Sequence, residues 1–407
     1  MGNAKKLMLL GGLRYLIPVI QSAHEEGYYV ITADYLPDNI AHKYSDEYVN
    51  VSIIDKEAVL RVAREKAIDG IISFAVDPGV MTAAYVQEQM GLPSMGPYKS
   101  VEILQNKDLF RAFLSEHGFN VPKAKGYSCM ADALSDTSWL TFPMIVKPTD
   151  SAGSKGVTRI DNLADYRSAL EEAFSKSISG HVIVEQFIEK HGCSSDTDSF
   201  LLDGELKYVT FNAQRFDPNA ANPYTPSAYT WPSTFTAAQE DELTSELQRL
   251  MKLLNMRTSV FNIETRIGTD GKSYIMEASP RGGGNRLCEM VRFATGVDMI
   301  KAQVRAVVGD PIGEIESLST AKPTYHGHWA EVILHAEQDG IYKNIVIADS
   351  MKQYVKDMDM WVKEGDKVSA FNGANDTIGT LKACFDSEER MHEFINNTDK
   401  YIKILQQ

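Results

Sequence analysis

Val146-Lys147-Pro148-Thr149-Asp150-Ser151-Ala152-Gly153-Ser154-Lys155-Gly156-Val157 decides how this chain of 407 residues is read. An apolar run reaches Lys147 and turns into a loop of small residues with two hydroxyls, a second lysine and two glycines. Glycines let a backbone approach a ligand closely and turn its N–H groups inward. Lysine ammoniums act as point charges for phosphate oxygens. Gly, Ser and Asp also fill ordinary tight turns. The Walker pattern Gly-x-x-x-x-Gly-Lys-Ser/Thr is absent. On this stretch alone, phosphate cradle and plain hairpin both stay open.

Working outward, residues 142–148 read as a strand bracketed by Pro143 and Pro148, and residues 162–175 as a helix. Upstream, residues 6–10 form an apolar run ending at Gly11-Gly12, residues 18–26 read as a helix, and residues 28–33 as a strand ending on Asp34. Strand, glycine turn, helix and strand make a βαβ unit, so the first 97 residues read as a Rossmann-like domain. Gly11-Gly12 alone is too little for a dinucleotide fingerprint. Residues 100–118 are helical in pattern, with Asn106 as a cap for the second half and Lys107 in its first turn. Residues 199–211 form a hairpin around Asp203-Gly204. Residues 212–236 hold Pro218, Pro223, Pro226 and Pro232 and read as a long irregular, functional loop. Residues 237–254 are an amphipathic helix, and the tail from about 321 reads as a small separate α+β unit.

Glu264 and Glu277 stand thirteen positions apart on two expected strands joined by Gly268-Thr269-Asp270-Gly271. A hairpin can bring both carboxylates to one face. Paired carboxylates beside a phosphate loop suit Mg²⁺, which takes one or two carboxylates plus phosphate oxygens and water. Arg281 follows four residues later, in Ser279-Pro280-Arg281-Gly282-Gly283-Gly284-Asn285-Arg286. Its fork suits a transferring phosphate or a substrate carboxylate. His326, His328 and His335 have no acid or cysteine at a spacing that completes a metal site and read as packing or surface residues.

The formal net charge of −14 argues against a nucleic-acid-binding surface. Hydrophobic and charged contents of 43% and 24% are those of a water-soluble globular chain. Cys129, Cys193, Cys288 and Cys384 form no Cys-x-x-Cys pair, which argues for a reducing cytoplasm and against structural zinc. No apolar run approaches the roughly 20 residues of a membrane span, and the N-terminal run is too short for a signal core.

In this order the chain resembles an ATP-grasp enzyme over about residues 1–310. The resemblance rests on Lys107, the Lys147 strand with its glycine loop, Glu185-Gln186-Phe187-Ile188, Glu264, and Glu277-x-Ser279-Pro280-Arg281. It implies an α/β and α+β multidomain fold. A Rossmann-like pre-ATP-grasp domain would span 1–97, a two-lobed ATP-grasp domain 98–318 and a small C-terminal α+β domain 319–407. The lid subdomain would run over about 125–187 with its loop at 150–157. It implies that Lys107 and Lys147 contact ATP phosphates, that Ser151, Gly153, Ser154, Lys155 and Gly156 close over them, and that backbone groups of Glu185, Gln186, Phe187 and Ile188 hold adenine. Glu264, Glu277 and Ser279 would hold Mg²⁺, with Mn²⁺ as the alternative. Lys147 and Arg281 would act in catalysis, and Arg281, Asn285 and Arg286 would hold substrate.

Two positions depart from the family pattern. Ser279 replaces the usual Asn, and Ser194 stands where a Glu is common, with Asp196 or Asp198 as substitutes. The implied activity is an ADP-forming ligase joining a small-molecule carboxylate to an amine through an acylphosphate, with amino-acid or peptide-type substrates. It would act in the cytoplasm without nucleic-acid or membrane partners, as a homodimer. Alternatives are a carbamoyl-phosphate-synthase-like or purine-pathway ATP-grasp enzyme, and a nucleotide-binding protein without ligase activity. Purine-pathway chemistry needs a basic pocket for a ribose phosphate, for which the first domain offers Arg14 and little else.

Overall fold

The computed structural model describes residues 4–150, 156–318 and 322–407. Ser151, Gly153, Ser154 and Lys155 lie outside the described residues. Strands β1 (Lys6–Leu10), β2 (Tyr29–Asp34), β3 (Glu47–Asn50) and β4 (Gly70–Ser73) form a parallel sheet in the order β3-β2-β1-β4. Helices α1 (Ile17–Glu25), α2 (Lys56–Lys66) and α3 (Val80–Met90) supply its crossovers. The expected elements are present; β3, half-buried and lacking an apolar run, is additional. Asp55 caps α2 by accepting from the Ala58 N–H.

Helices α4 (Tyr98–Gln105) and α5 (Lys107–Glu116) replace one long helix, because Asn106 is extended at φ −112°, ψ 113°. Asn106 does not cap α5 through its side chain; its amide donates back to the Glu102 carbonyl. An antiparallel sheet follows, ordered β5-β8-β6-β7, from β5 (Ala124–Tyr127), β6 (Met144–Pro148), β7 (Thr158–Ile160) and β8 (Val182–Gln186). Helices α6 (Met130–Ser135) and α7 (Tyr166–Lys176) flank it. It has its own apolar cluster around Val146, Tyr166, Leu170 and Val184. Gly156 begins the return to β7 at φ +70°, the left-handed region that a side chain disfavours.

The chain continues through β9 (Ser195–Leu202), β10 (Glu205–Tyr208), β11 (Ala213–Phe216), β12 (Pro226–Trp231), α8 (Ala237–Leu253), β13 (Ser259–Ile267) and β14 (Ser273–Ser279). A central sheet runs β10-β9-β13-β14. After α9 (Leu287–Thr295) and α10 (Met299–Val307) come β15 (His328–His335), β16 (Gly340–Ile347), β17 (Val355–Met360), β18 (Lys367–Val368), β19 (Thr377–Phe385) and β20 (Ile402–Gln406). The stretch expected to be irregular, 212–236, instead contributes β11 and β12 to the sheet β11-β12-β15-β19-β17. Its prolines mask this. Pro226 opens β12 and Pro232 follows it, so neither interrupts the ladder. The tail therefore shares a sheet with the middle of the chain.

Alternation along β1 ties these layers together. Met8 and Leu10 pack in one cluster with Phe261, Ile263, Leu247 and Phe110. Leu7 and Leu9 pack in another with Phe200, Val260, Met299 and Val304. Each such fully buried side chain contributes about 1.5–3 kcal/mol. The same packing presses the glycine loop 282–284 against the first sheet. The Ala75 N–H donates to the Gly282 carbonyl, and a Cβ on Gly282 would sit 2.1 Å from Cζ of Phe74. Phe74 is buried and cannot simply swing into solvent. Gly282→Ala is expected to cost about 1–3 kcal/mol by overpacking, read as a lower urea midpoint at unchanged slope. An unchanged midpoint would show that Phe74 repacks freely.

Candidate functional site

The cationic side of the site is built by α5 and β6. Lys107 and Arg111 lie one turn apart on α5, so they share a face. Lys147 on β6 lies diagonally from Glu185 on β8, whose direct partner is Ile145. The Lys147 ammonium pairs with Glu185 Oε1, and Arg111 Nε donates to Oε2 at 2.9 Å. A second Arg111 nitrogen donates to the Met276 carbonyl at 2.8 Å. Burial raises the Glu185 carboxyl, but Arg111 and then Lys147 outweigh it and bring it down to about 2. Burial pushes the Lys147 ammonium down; Glu185 opposes this, while Arg111 and Lys107 add to it.

The acidic side is a row across three strands. Asp196 on β9 is paired with Glu264 on β13, which is paired with Glu277 on β14. Direct partners in antiparallel strands share a face. Two positions along, the next row is Asp198, Asn262 and Ser279. Asn262 donates to Asp196 Oδ1 at 2.9 Å and Asp198 Oδ1 at 3.2 Å. Glu277 meets Lys107 at 3.8 Å, and Glu264 meets Arg266 at 3.3 Å. Lys107 foremost holds the Glu277 carboxyl below its ordinary range. Burial and then the Glu264 charge push the Asp196 carboxyl up to about 7, and burial pushes Asp198 up to about 6.

Arg281 is anchored by Asp77, which follows β4: Nε reaches Asp77 Oδ1 at 2.8 Å, and NH2 reaches the same oxygen at 2.7 Å. The remaining NH1 turns to the Gly282 carbonyl. Burial acts to lower the Arg281 pKa, but the Asp77 pair more than offsets this and raises it.

The structure gives several of the expected site residues partners within the protein. Ser279, expected among the metal ligands, accepts from Gln105 at 2.8 Å and contacts Asp77 at 3.5 Å, so its hydroxyl is already engaged. The Glu185 side chain belongs to the ion cluster. The N–H groups of Gln186 and Phe187 donate to the Lys123 and Pro143 carbonyls, so neither is spare for adenine. The Ile188 carbonyl accepts from Arg266. Arg286, expected to hold a substrate carboxylate, is taken up bidentately by Glu289 at 2.7 Å on each oxygen, with Asp359 at 3.5 Å. Asn285 bridges the Tyr15 and Tyr229 hydroxyls at 3.2 and 3.3 Å. Ser194 is fully buried, so of the two substitutes considered Asp196 is the one aligned with Glu264.

Residues 140–289 match the family model for the ATP-grasp domain. That stretch is an ATP-grasp domain. The whole chain is matched over 76% of its span, at 22% identity over 310 residues, by the carbamoyl phosphate synthase large chain of Thermotoga petrophila, of whose length the match covers 28%. The C-terminal section of the Aquifex aeolicus large chain matches 77% of this chain and 59% of its own length, again at 22% identity. The chain thus spans about a quarter of the length of the full-length curated relatives it matches. Among solved structures, the fold is similar to L-amino acid ligase from Bacillus licheniformis, with TM-score 0.81, 20% identity and both chains covered in full. It is similar also to phosphoribosylglycinamide synthetase from Anaerococcus prevotii, with TM-score 0.76, 18% identity and full coverage of both. The Mg-ADP complex of a biotin carboxylase domain from Hydrogenobacter thermophilus has TM-score 0.73 at 17% identity, over 99% of this chain and 91% of that one.

Sequence reasoning missed several groups of this site. Arg111 was signalled by its one-turn spacing from Lys107. Asp77 was signalled by its place just beyond a parallel strand, where α/β sheets put ligand-facing groups. Tyr229 and Asn262 gave no local signal, because strand partnership places them. Among the described residues, no three His, Cys, Asp or Glu side chains are arranged to hold a metal unaided. Glu264 and Glu277 as a facing pair do fit an ion that completes its shell with phosphate and water.

Two pH-dependent outcomes follow. The Glu185 carboxyl is depressed, so its stabilisation is complete above pH about 4.5 and is lost as pH falls toward about 2. Glu185→Gln is expected to cost about 3–5 kcal/mol at pH 7, because it strands two buried cations. Denaturant titrations at pH 7 and pH 3 should show that cost shrinking in acid. Asp196 has the opposite sign: its raised carboxyl penalises the fold as pH rises from about 4 through 7. Asp196→Asn should therefore gain about 1–2 kcal/mol above pH 8 and nothing below pH 4; a gain independent of pH would contradict the raised Asp196 carboxyl.

Proposed function

We propose that this protein is an ATP- and Mg²⁺-dependent ligase, with Mn²⁺ as the alternative ion. It would activate a small-molecule carboxylate as an acylphosphate and join it to an amine, with amino-acid or peptide-type substrates. The observation that carries this reading is the convergence of Lys107, Arg111, Lys147 and Arg281 on the edge of the Asp196–Glu264–Glu277 row. Burial first, then Arg111 and Lys107, lower the Lys147 pKa, and a polyphosphate laid among these three cations would relieve their repulsion. Lys147 and Lys107 would bind phosphate oxygens as point charges. A divalent ion held by Glu264 and Glu277 would neutralise charge on the phosphates during transfer. The Mg-ADP in the similar biotin carboxylase structure supports that pairing.

The reaction balances without a redox partner. A carboxylate oxygen attacks the γ-phosphorus and ADP leaves. The amine nitrogen then attacks the acyl carbon, phosphate leaves, and the nitrogen loses a proton. Arg281, rigid through Asp77, would face the negative charge of the acylphosphate. Asp196, poised near neutrality, is suited to take the amine proton.

The same proposal divides the chain at about residues 97 and 318, with a lid subdomain over about 125–187. The separate apolar cluster of the β5–β8 sheet supports that lid. A cytoplasmic setting is supported by the four unpaired cysteines, and a homodimer by the dimeric biotin carboxylase relative. Among the described residues, no helix is long and apolar enough to cross a membrane.

Phosphate release from Mg·ATP is expected only when acid and amine pools are both present, with a product whose mass is their sum less water. Glu277→Gln is expected to lower kcat by about 10²–10³. ATP binding with no phosphate release from any pool would overturn the ligase reading. An undiminished Glu277→Gln rate would overturn the role given to that carboxylate.

A further inference from the structure

A second ionic contact of the β5–β8 sheet lies away from the Glu185 carboxylate and takes no part in the reaction above. Ile145 is the direct partner of Glu185 on one side and of Arg159 on the other. Direct partners share a face, so Arg159, on the edge strand β7, stands on the same face as Glu185 and Lys147. Its guanidinium donates to Asp161 Oδ1 from Nε at 3.0 Å and from a second nitrogen at 2.9 Å. That second nitrogen also lies 3.1 Å from Glu189 Oε1, and the guanidinium sits 4.5 Å over the Phe187 ring.

Glu189 is fastened to the central sheet. Its carbonyl accepts from the Thr269 N–H at 2.9 Å, and the nearby His191 N–H donates to the Ile267 carbonyl at 2.8 Å. Ile267 and Thr269 belong to the hairpin that carries Glu264 and Glu277. The Arg159–Glu189 pair therefore joins the outer edge of the β5–β8 sheet to the central sheet.

The contact continues to the C-terminal sheet. Lys190 places its ammonium 4.5 Å over the Phe216 ring, at the end of β11. The loop that follows is tied down at several points. His335 Nε2 meets Asp217 Oδ2 at 3.3 Å, the Asn222 N–H donates to the Phe371 carbonyl at 3.1 Å, and the Asn222 side chain donates to the Asn372 carbonyl at 3.0 Å. Its Tyr224 then returns toward β7. Burial raises the Tyr224 phenol above its ordinary range; Arg159 pulls it down, and Asp161 and Glu189 push it up, so the ring lies among these charges.

Burial separates the two ion pairs of the sheet. The side chains of Arg111 and Glu185 are 4% and 3% exposed, whereas those of Arg159 and Glu189 are 28% and 50% exposed. Parting a buried pair leaves uncompensated charge. Parting a half-exposed pair costs little, because water solvates both ions. The first pair is a fixed pivot, and the second can open and close.

We propose that Arg159 and Glu189 form a reversible clasp between the β5–β8 lid sheet and the central sheet, with the 217–225 loop as a strap that ties the clasp to the C-terminal sheet. Opening the clasp would widen the cleft on the Lys147 face, and closing it would help to exclude water. The proposal rests on the lid division given above and not on the ligase chemistry.

Amide hydrogen exchange of the full chain, with no nucleotide or substrate added, tests it. The reporters are the amides of Phe187, bonded to Pro143, of Thr269, bonded to Glu189, and of His191, bonded to Ile267. R159A and E189Q are each expected to speed exchange there by about 2–5-fold, the worth of one half-exposed pair, with β1 and β2 unchanged. The double variant should exchange no faster than R159A, because one contact is lost only once. At about 1 M NaCl, where the screening length falls to about 3 Å, wild type should approach E189Q. N222A removes the side chain that bonds the Asn372 carbonyl and the Tyr224 N–H, and should give a smaller rise at the same amides. Unchanged exchange in R159A and E189Q, an equal rise in β1 and β2, or additive effects in the double variant would overturn the clasp. Exchange unmoved by N222A would overturn the strap. A chain that releases no phosphate with any substrate pool would sink the ligase reading and leave this result standing.

Discussion

The site depends on one buried carboxylate, Glu185. It sits between Lys147 and Arg111 and is only 2% exposed. Burying three charged groups is costly unless each is paired and hydrogen-bonded. Here Arg111 also donates to the Met276 carbonyl, one residue before Glu277. Strands β6 and β8, the helix carrying Lys107, and the strand carrying Glu277 thus meet at a single ionic node. The node holds the cations at fixed positions without neutralising all of them, since two positive groups share one negative. The surplus is what a phosphate chain would complete.

The acidic row answers this surplus from the opposite side. Asp196, Glu264 and Glu277 occupy successive strands in register, and their environments set them apart. Glu277 faces Lys107 and stays low, whereas Asp196 faces Glu264 and burial and rises to about 7. Neighbouring carboxylates with divergent pKa values can take different roles, one binding charge and the other moving a proton. Tyr229, which meets Asp196, and its strand partner Glu331 extend this gradient into the C-terminal sheet.

Much of this was legible because local rules and tertiary structure agree. The β1 apolar run and the hairpin bearing Glu264 and Glu277 are each written in adjacent residues. Lys107, Lys147, Glu264, Glu277 and Arg281 do converge, although nothing nearer than their order along the chain announces it. Other contacts of the expected site residues were not announced by the sequence. Arg286 is taken up by Glu289, three residues on, and approached by Asp359 from the C-terminal sheet. Ser279 looked like a metal ligand, but Gln105 and Asp77 engage it from another part of the chain. Residues 212–236 looked irregular because the β11–β12 pair joins a larger sheet only through β15, far along the chain.

The sequence by itself determined the alternation of strands and helices, the glycine positions, and the identities of the cations and carboxylates. These follow from side-chain periodicity and backbone sterics acting over a few residues. The tertiary structure decided which charges are paired and which are left over. Register set Asp196 beside Glu264 and Glu331 beside Lys382. Burial then turned those neighbours into shifted pKa values and, at Glu331, into a carboxylate without a donor among the described residues. Pairing and desolvation depend on distances across the fold, and no local stretch of sequence contains them.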